Sequence, residues 1–234
     1  MSVHEQMEQL KDEQPLAELS SQMVTMMTTE HYNLQTGRSM TVADANGRST
    51  LFISTVSGAL IAIVFAGQTS HMGTAFFVFS LVLLPSLFLM GLITFERVLQ
   101  SGIEDLVYAR GITRIRHLYL ESAPQLRPYF ILSINDEGRR PVLNVGTHPS
   151  WWQVFLTTAG MIAVINSVLM GAFVGLLLSA LFTFSLLVYT SAGVVIFLLS
   201  LGIHQRYQWG QWRRMEQNLA VLFPGQLLQE KPEA

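Results

Sequence analysis

The chain of 234 residues contains no cysteine. That excludes a disulfide framework, a thiolate metal site and a cysteine nucleophile. Charge is also scarce: 13% of residues are Asp, Glu, Lys or Arg while 50% are hydrophobic, against about 25% charged in an ordinary soluble domain. So few charges cannot clothe a soluble globule of this size. The 14 basic and 16 acidic residues nearly cancel, which gives no reason to expect a nucleic-acid partner. There is no Gly-rich phosphate loop, no HExxH, no GxSxG and no cluster of histidines with carboxylates. His117 and Glu121 have the i,i+4 spacing of metal ligands but lack a third. Neither catalysis nor a bound cofactor or metal is expected.

The shortage of charge is concentrated. No Asp, Glu, Lys or Arg occurs in residues 49–95, nor in residues 141–205. About 20 apolar residues cross about 30 Å of hydrocarbon, so each window holds two spans and a turn. The spans are expected near 51–67, 74–95, 152–178 and 184–203, with the polar "QTSHMG" and the apolar "SALFTF" as turns. A cleaved secretory signal would place its apolar core within roughly the first 30 residues. Here about 48 mostly polar residues come first and a second apolar segment follows, so the first span is a retained membrane helix. The expected fold is an all-α integral membrane protein: four transmembrane helices as two hairpins, with cytoplasmic helices and a small β-hairpin.

Every Lys and Arg lies before the first span, in the 96–150 connection, or after residue 203. Under the positive-inside rule both termini and the connection are cytoplasmic. Trp151, Trp152, Trp209 and Trp212 all fall at that same face, where amphipathic indoles anchor a helix. The layout is therefore a cytoplasmic segment (1–50), a first membrane hairpin (51–95), a cytoplasmic connection (96–150), a second membrane hairpin (151–204) and an amphipathic cytoplasmic tail (205–234).

An ionisable residue inside a span would be the usual pointer to an ion path or proton relay, and the four spans contain no Asp, Glu, Lys or Arg. What remains polar is Asn166, Tyr189, Thr190, Ser191 and the Ser and Thr residues of the first span, which read first as interhelical glue. Small residues recur at four-residue spacing at Gly58, Ala62 and Ala66, and again at Gly171, Gly175 and Ser179. Both series suit close helix contact, within the chain or between copies. Pro85 should kink the second span, as a static bend or as a hinge.

In the connection, helical periodicity continues past Glu96 and Arg97, with a break expected at Gly111 and a helix end at Pro124. Arg110, Arg114, Arg116 and His117 make this stretch basic, either a solvated face or one for anionic headgroups or an acidic partner. "YFILSI" and "PVLNV" around "NDEGRR" have hairpin character. The N-terminal series Leu16, Leu19, Met23 and Met26 suggests a helix, with a break near Asn46-Gly47. In the tail, Trp209, Trp212, Leu219 and Leu222 share a face away from Arg213 and Arg214.

"TEHYNLQTGRSMTVADANGR" before the first span and "FERVLQSGIEDLVYARGITRIRHLYLESAPQLRPYF" after the second resemble a family of uncharacterised bacterial membrane proteins, over residues 22 to 130. The layout, a cytosolic helix feeding a membrane hairpin and then more helix, is also similar to SLATT-type membrane effectors. That second likeness implies pore formation in bacterial nucleotide-signalling and conflict systems. The present chain has an additional membrane hairpin, and no site residue carries over. The expectation is a multi-pass protein of the bacterial plasma (inner) membrane, a homo-oligomeric pore or channel-like module governed by its cytoplasmic helices. Its partners would be membrane lipid, further copies of itself, and a cytoplasmic protein or small-molecule signal. The alternative is a non-conducting anchor that presents its cytoplasmic region to a protein partner.

Overall fold

The computed structural model describes residues 21–136 and 155–224, and among them all regular structure is helical. Helix α1 spans Ser21–Thr69 and α2 spans Thr74–Ser122. A short 3-10 helix, Pro124–Tyr129, follows, and then α3 (Thr158–Leu181) and α4 (Leu186–Asn218). All four long helices are long and apolar enough to cross a membrane.

Helices α1 and α2 have 49 residues each, about 74 Å at 1.5 Å per residue, well over twice the hydrocarbon thickness. The breaks expected at Asn46-Gly47 and Gly111 do not occur. At Gly47 the helix is bridged by Arg48 Nε donating to Asp44 at 2.9 Å, and by Ser49 Oγ donating to the Ala45 carbonyl at 2.6 Å. At Gly111 the missing side chain is a packing device: a Cβ there would lie 2.9 Å from Leu34 Cδ1. Both glycines cost about 1 kcal/mol of helix propensity, which local pairing and close packing offset. Pro85 lies inside α2 without ending it.

The turns close by different chemistry. Between α1 and α2, His71 and Met72 take left-handed φ values of 49° and 56°, and Met72 N–H donates to the Gly67 carbonyl at 2.9 Å. Between α3 and α4 the turn is Phe182–Ser185, slightly later than the spacing suggests. It has few polar side chains of its own, so Tyr189 completes it. The phenol donates to the Phe182 carbonyl at 2.6 Å and accepts from Phe184 N–H at 2.5 Å. Thr157 caps α3 by accepting from Gly160 N–H at 3.0 Å. The tail does not form a separate helix, because α4 continues from the apolar segment through Trp209 and Trp212 to Asn218.

No strand occurs among the described residues. "YFILSI" is partly in the 3-10 helix and otherwise irregular; most of the expected turn and the second arm lie outside the described residues. Met23 and Met26 are exposed, and Leu16 and Leu19 lie outside the described residues.

The chain divides into two compact units. Unit 1 takes residues up to 39, 105–147 and 220 onward; unit 2 takes 40–104 and 148–219. In unit 2 the apolar core is Phe52 and Val56 of α1, Leu84, Leu87, Phe95, Val98 and Leu99 of α2, and Ala159, Ile162, Ala163 and Leu169 of α3. In unit 1 the anchor is α2, where no residue from 108 to 120 is exposed.

Candidate functional site

Helix α4 inverts the usual arrangement of a packed helix. Ser200, His204 and Gln208, four residues apart and so on one face, are buried, while Leu187 and Ile203 are 77% and 68% exposed. The buried side meets α3. His204 Nδ1 lies 2.8 Å from the Ser200 carbonyl. A carbonyl can only accept, so Nδ1 carries the proton and, in the neutral ring, Nε2 accepts from Asn166 Nδ2 at 3.4 Å. The Phe95 ring of α2 stands edge-on to the imidazole at 4.9 Å. One turn further along α4, Gln208 Nε2 donates to Thr157 Oγ1 at 3.2 Å.

Two acceptors in this seam are left over. Asn166 Oδ1 and Gln208 Oε1, in residues almost wholly shielded from solvent, are buried without a hydrogen-bond partner among the described residues, as are both amide atoms of the neighbouring Gln205. Buried polar atoms are nearly always satisfied, so the two oxygens mark a place equipped to take a donor. Gly91 of α2 makes room for one of them, since a Cβ there would overlap Asn166 Oδ1 and sit 3.0 Å from Phe52 Cζ.

Unit 1 carries a second polar assembly. Asp136, its side chain fully buried, accepts from Arg114 Nε at 2.8 Å, Phe223 N–H at 2.8 Å and Leu222 N–H at 3.1 Å. Its own N–H donates to the Phe223 carbonyl at 3.1 Å. Arg114 Nη2 reaches the Ala220 carbonyl at 2.5 Å, and the Phe223 ring stacks on His117 at 3.9 Å. Segment 220–223 is thereby clamped. Burial works to raise the Asp136 pKa, but the Phe223 N–H, Arg114 and the Leu222 N–H outweigh it and hold the carboxyl below its ordinary value.

The remaining sequence candidates fall as follows. Arg110 is only 3% exposed, Arg114 belongs to the clamp, Arg116 is half-buried and His117 also meets Glu121 at 3.2 Å. These four therefore do not form one solvated basic face. Around Gly58 the space is open within the chain, with Ala62 and Ala66 partly covered. Gly171 packs on the Gly193 backbone of α4, Gly175 meets the Tyr189 carbonyl at ordinary distance, and Ser179 Oγ bonds the Leu176 carbonyl. Trp212 packs against the unit 2 core, Trp209 carries the Arg213 guanidinium over its ring at 5.4 Å, and Trp151 and Trp152 lie outside the described residues. The seam was not singled out from the sequence, because only Ser200 and His204 interrupt the apolar part of α4, while Gln208 follows Gln205 and Arg206 in its polar end.

Comparison with protein-family models, with curated proteins and with solved structures gave no match.

Proposed function

We propose that the chain is a multi-pass protein of the bacterial inner membrane, with both termini cytoplasmic, that works as a homo-oligomeric channel-like module controlled by its cytoplasmic helices. The observation that carries this reading is the inverted α4: Ser200, His204 and Gln208 inward, Leu187 and Ile203 outward. A helix turns its polar side inward when its surroundings are apolar. The unpartnered amide oxygens of Asn166 and Gln208 supply acceptors that a permeating or gating species can use. Among the described residues no continuous polar stripe runs through one copy. Thr55, Ser57, Thr190 and Ser191 each donate to a carbonyl of their own helix and lie exposed. Conduction therefore calls for a path lined by more than one copy, and the open surface at Gly58 suits a second helix.

Those same back-bonded hydroxyls favour the second reading, a non-conducting anchor presenting unit 1 to a protein partner. Ion-flux recordings on purified protein in liposomes, paired with the mass of the nanodisc-embedded particle, separate the two. Flux from an oligomer is the expected result. A silent, monodisperse monomer would remove the channel reading. The orientation has its own check: a cysteine at Ser70 should label from outside intact cells and one at Ser122 should not. External labelling at residue 122 would refute cytoplasmic termini.

A further inference from the structure

Within unit 1, α1 and α2 run antiparallel. Arg38 pairs with Asp105 at 2.8 Å, the Tyr108 ring lies against Gly37, and Leu34 packs into the space at Gly111. The residue number falls along α1 as it rises along α2, so the next turn brings His31 alongside residues 114–116. Gln35 Nε2 lies 2.9 Å from His31 Nε2. An amide nitrogen only donates, so His31 Nε2 accepts and the proton of the neutral ring is on Nδ1. That Nδ1 is buried with nothing to receive its hydrogen.

Arg116, half-buried at the same level, has no carboxylate partner among the described residues, whereas Arg38, Arg48 and Arg114 each have one. Its charged neighbour is instead a second cation. Burial and then the Arg38 charge lower the Arg116 pKa, and burial and then the Arg116 charge lower that of His31. Two donors in this corner have no partner among the described residues: the planar fork of Arg116 and the Nδ1–H of His31. A tetrahedral oxyanion matches both, accepting two parallel bonds from a guanidinium fork and a third from the imidazole.

We propose that Arg116 and His31 form a binding site for a phosphate-type oxyanion on unit 1. The group is either a free phosphate or the headgroup of an anionic lipid. The site stands whether or not the membrane unit conducts.

Full-length protein in phosphatidylcholine nanodiscs is titrated with inorganic phosphate against sodium chloride of equal ionic strength, following thermal stability and the phosphorus-31 linewidth. Phosphate, and not chloride, is expected to stabilise the wild type. Arg116→Gln should raise the half-saturating concentration about tenfold or more, the loss expected for a charge-assisted fork. Because that change removes a repulsion it should fold, and His31→Ala, which deletes only the Nδ1–H donor, gives a second and smaller loss. A lipid source is tested by replacing a third of the phosphatidylcholine with phosphatidylglycerol and omitting phosphate. Stabilisation that depends on Arg116 identifies the headgroup as the ligand. If neither phosphate nor phosphatidylglycerol produces an effect that Arg116→Gln diminishes, the site does not exist.

Discussion

Gly171→Ala is expected to lower the melting temperature of the purified protein sharply, while Gly175→Ala, one helical turn away, leaves it nearly unchanged. A Cβ at Gly171 would lie 2.6 Å from the Gly193 carbonyl oxygen and 3.1 Å from Phe197 Cβ. The first is backbone and cannot swing aside, so α3 and α4 must move apart. Forcing atoms into a close-packed site costs about 1–3 kcal/mol, and here the separation would also strain the Asn166 to His204 contact on the same pair of helices. At Gly175 the nearest atom is the Tyr189 carbonyl oxygen at 3.4 Å, ordinary contact for a methyl group. The two unfolding curves, read with elution volume in detergent, decide it. Equal behaviour of the two variants would mean that α3 and α4 do not cross at Gly171.

Asp136→Asn should release the segment at residues 220–223. The change keeps the size of the side chain but turns an NH2 group toward donors and leaves Arg114 without its counter-charge. Removing one member of a buried ion pair costs about 3–5 kcal/mol, and the opening is local. Amide hydrogen exchange at Leu222 and Phe223 should accelerate at least about a hundredfold, at roughly tenfold per 1.4 kcal/mol. Unchanged protection would show that these amides are held by something other than the carboxylate. The acid dependence has a definite sign. The folded pKa lies below the unfolded value of about 3.9, so the contribution is complete above that value. It declines as pH drops beneath it, and is lost once the folded carboxyl protonates. Asp136 therefore holds the clamp unchanged across neutral pH.

The charge-free windows at 49–95 and 141–205 located all four apolar helices, because a missing charge is a property of composition and needs no partner to be read. Helix ends were harder. Gly47 and Gly111 carry the local signature of a break, but one is bridged by Asp44 and Arg48 and the other is filled by Leu34, which is 77 positions away in sequence yet adjacent in space. The basic stretch failed for the same reason. Periodicity put Arg110, Arg114, Arg116 and His117 near one another, but Arg114 is taken up by Asp136 and His117 by Phe223, and no local rule supplies those distant partners. In the seam, Asn166 was visible as a polar residue in an apolar helix, whereas its pairing with His204 needed the α3–α4 register that Gly171 and Gly193 set.

The inverted α4 also bears on how the protein is made. On the proposed membrane reading, α4 standing alone would turn Ser200 and His204 toward lipid and leave Gln208, at the cytoplasmic end, without its partner, and polar groups without partners in hydrocarbon are costly. Asn166 and Thr157, which provide those partners, come earlier in the chain on α3 and its cap. The turn at Phe182–Ser185, fastened by Tyr189, joins the two. If the chain inserts as proposed above, the second hairpin would enter as a single thermodynamic unit: α4 would be sheltered in lipid only against a helix already synthesised, and the order of synthesis would match the order in which its polar side is covered.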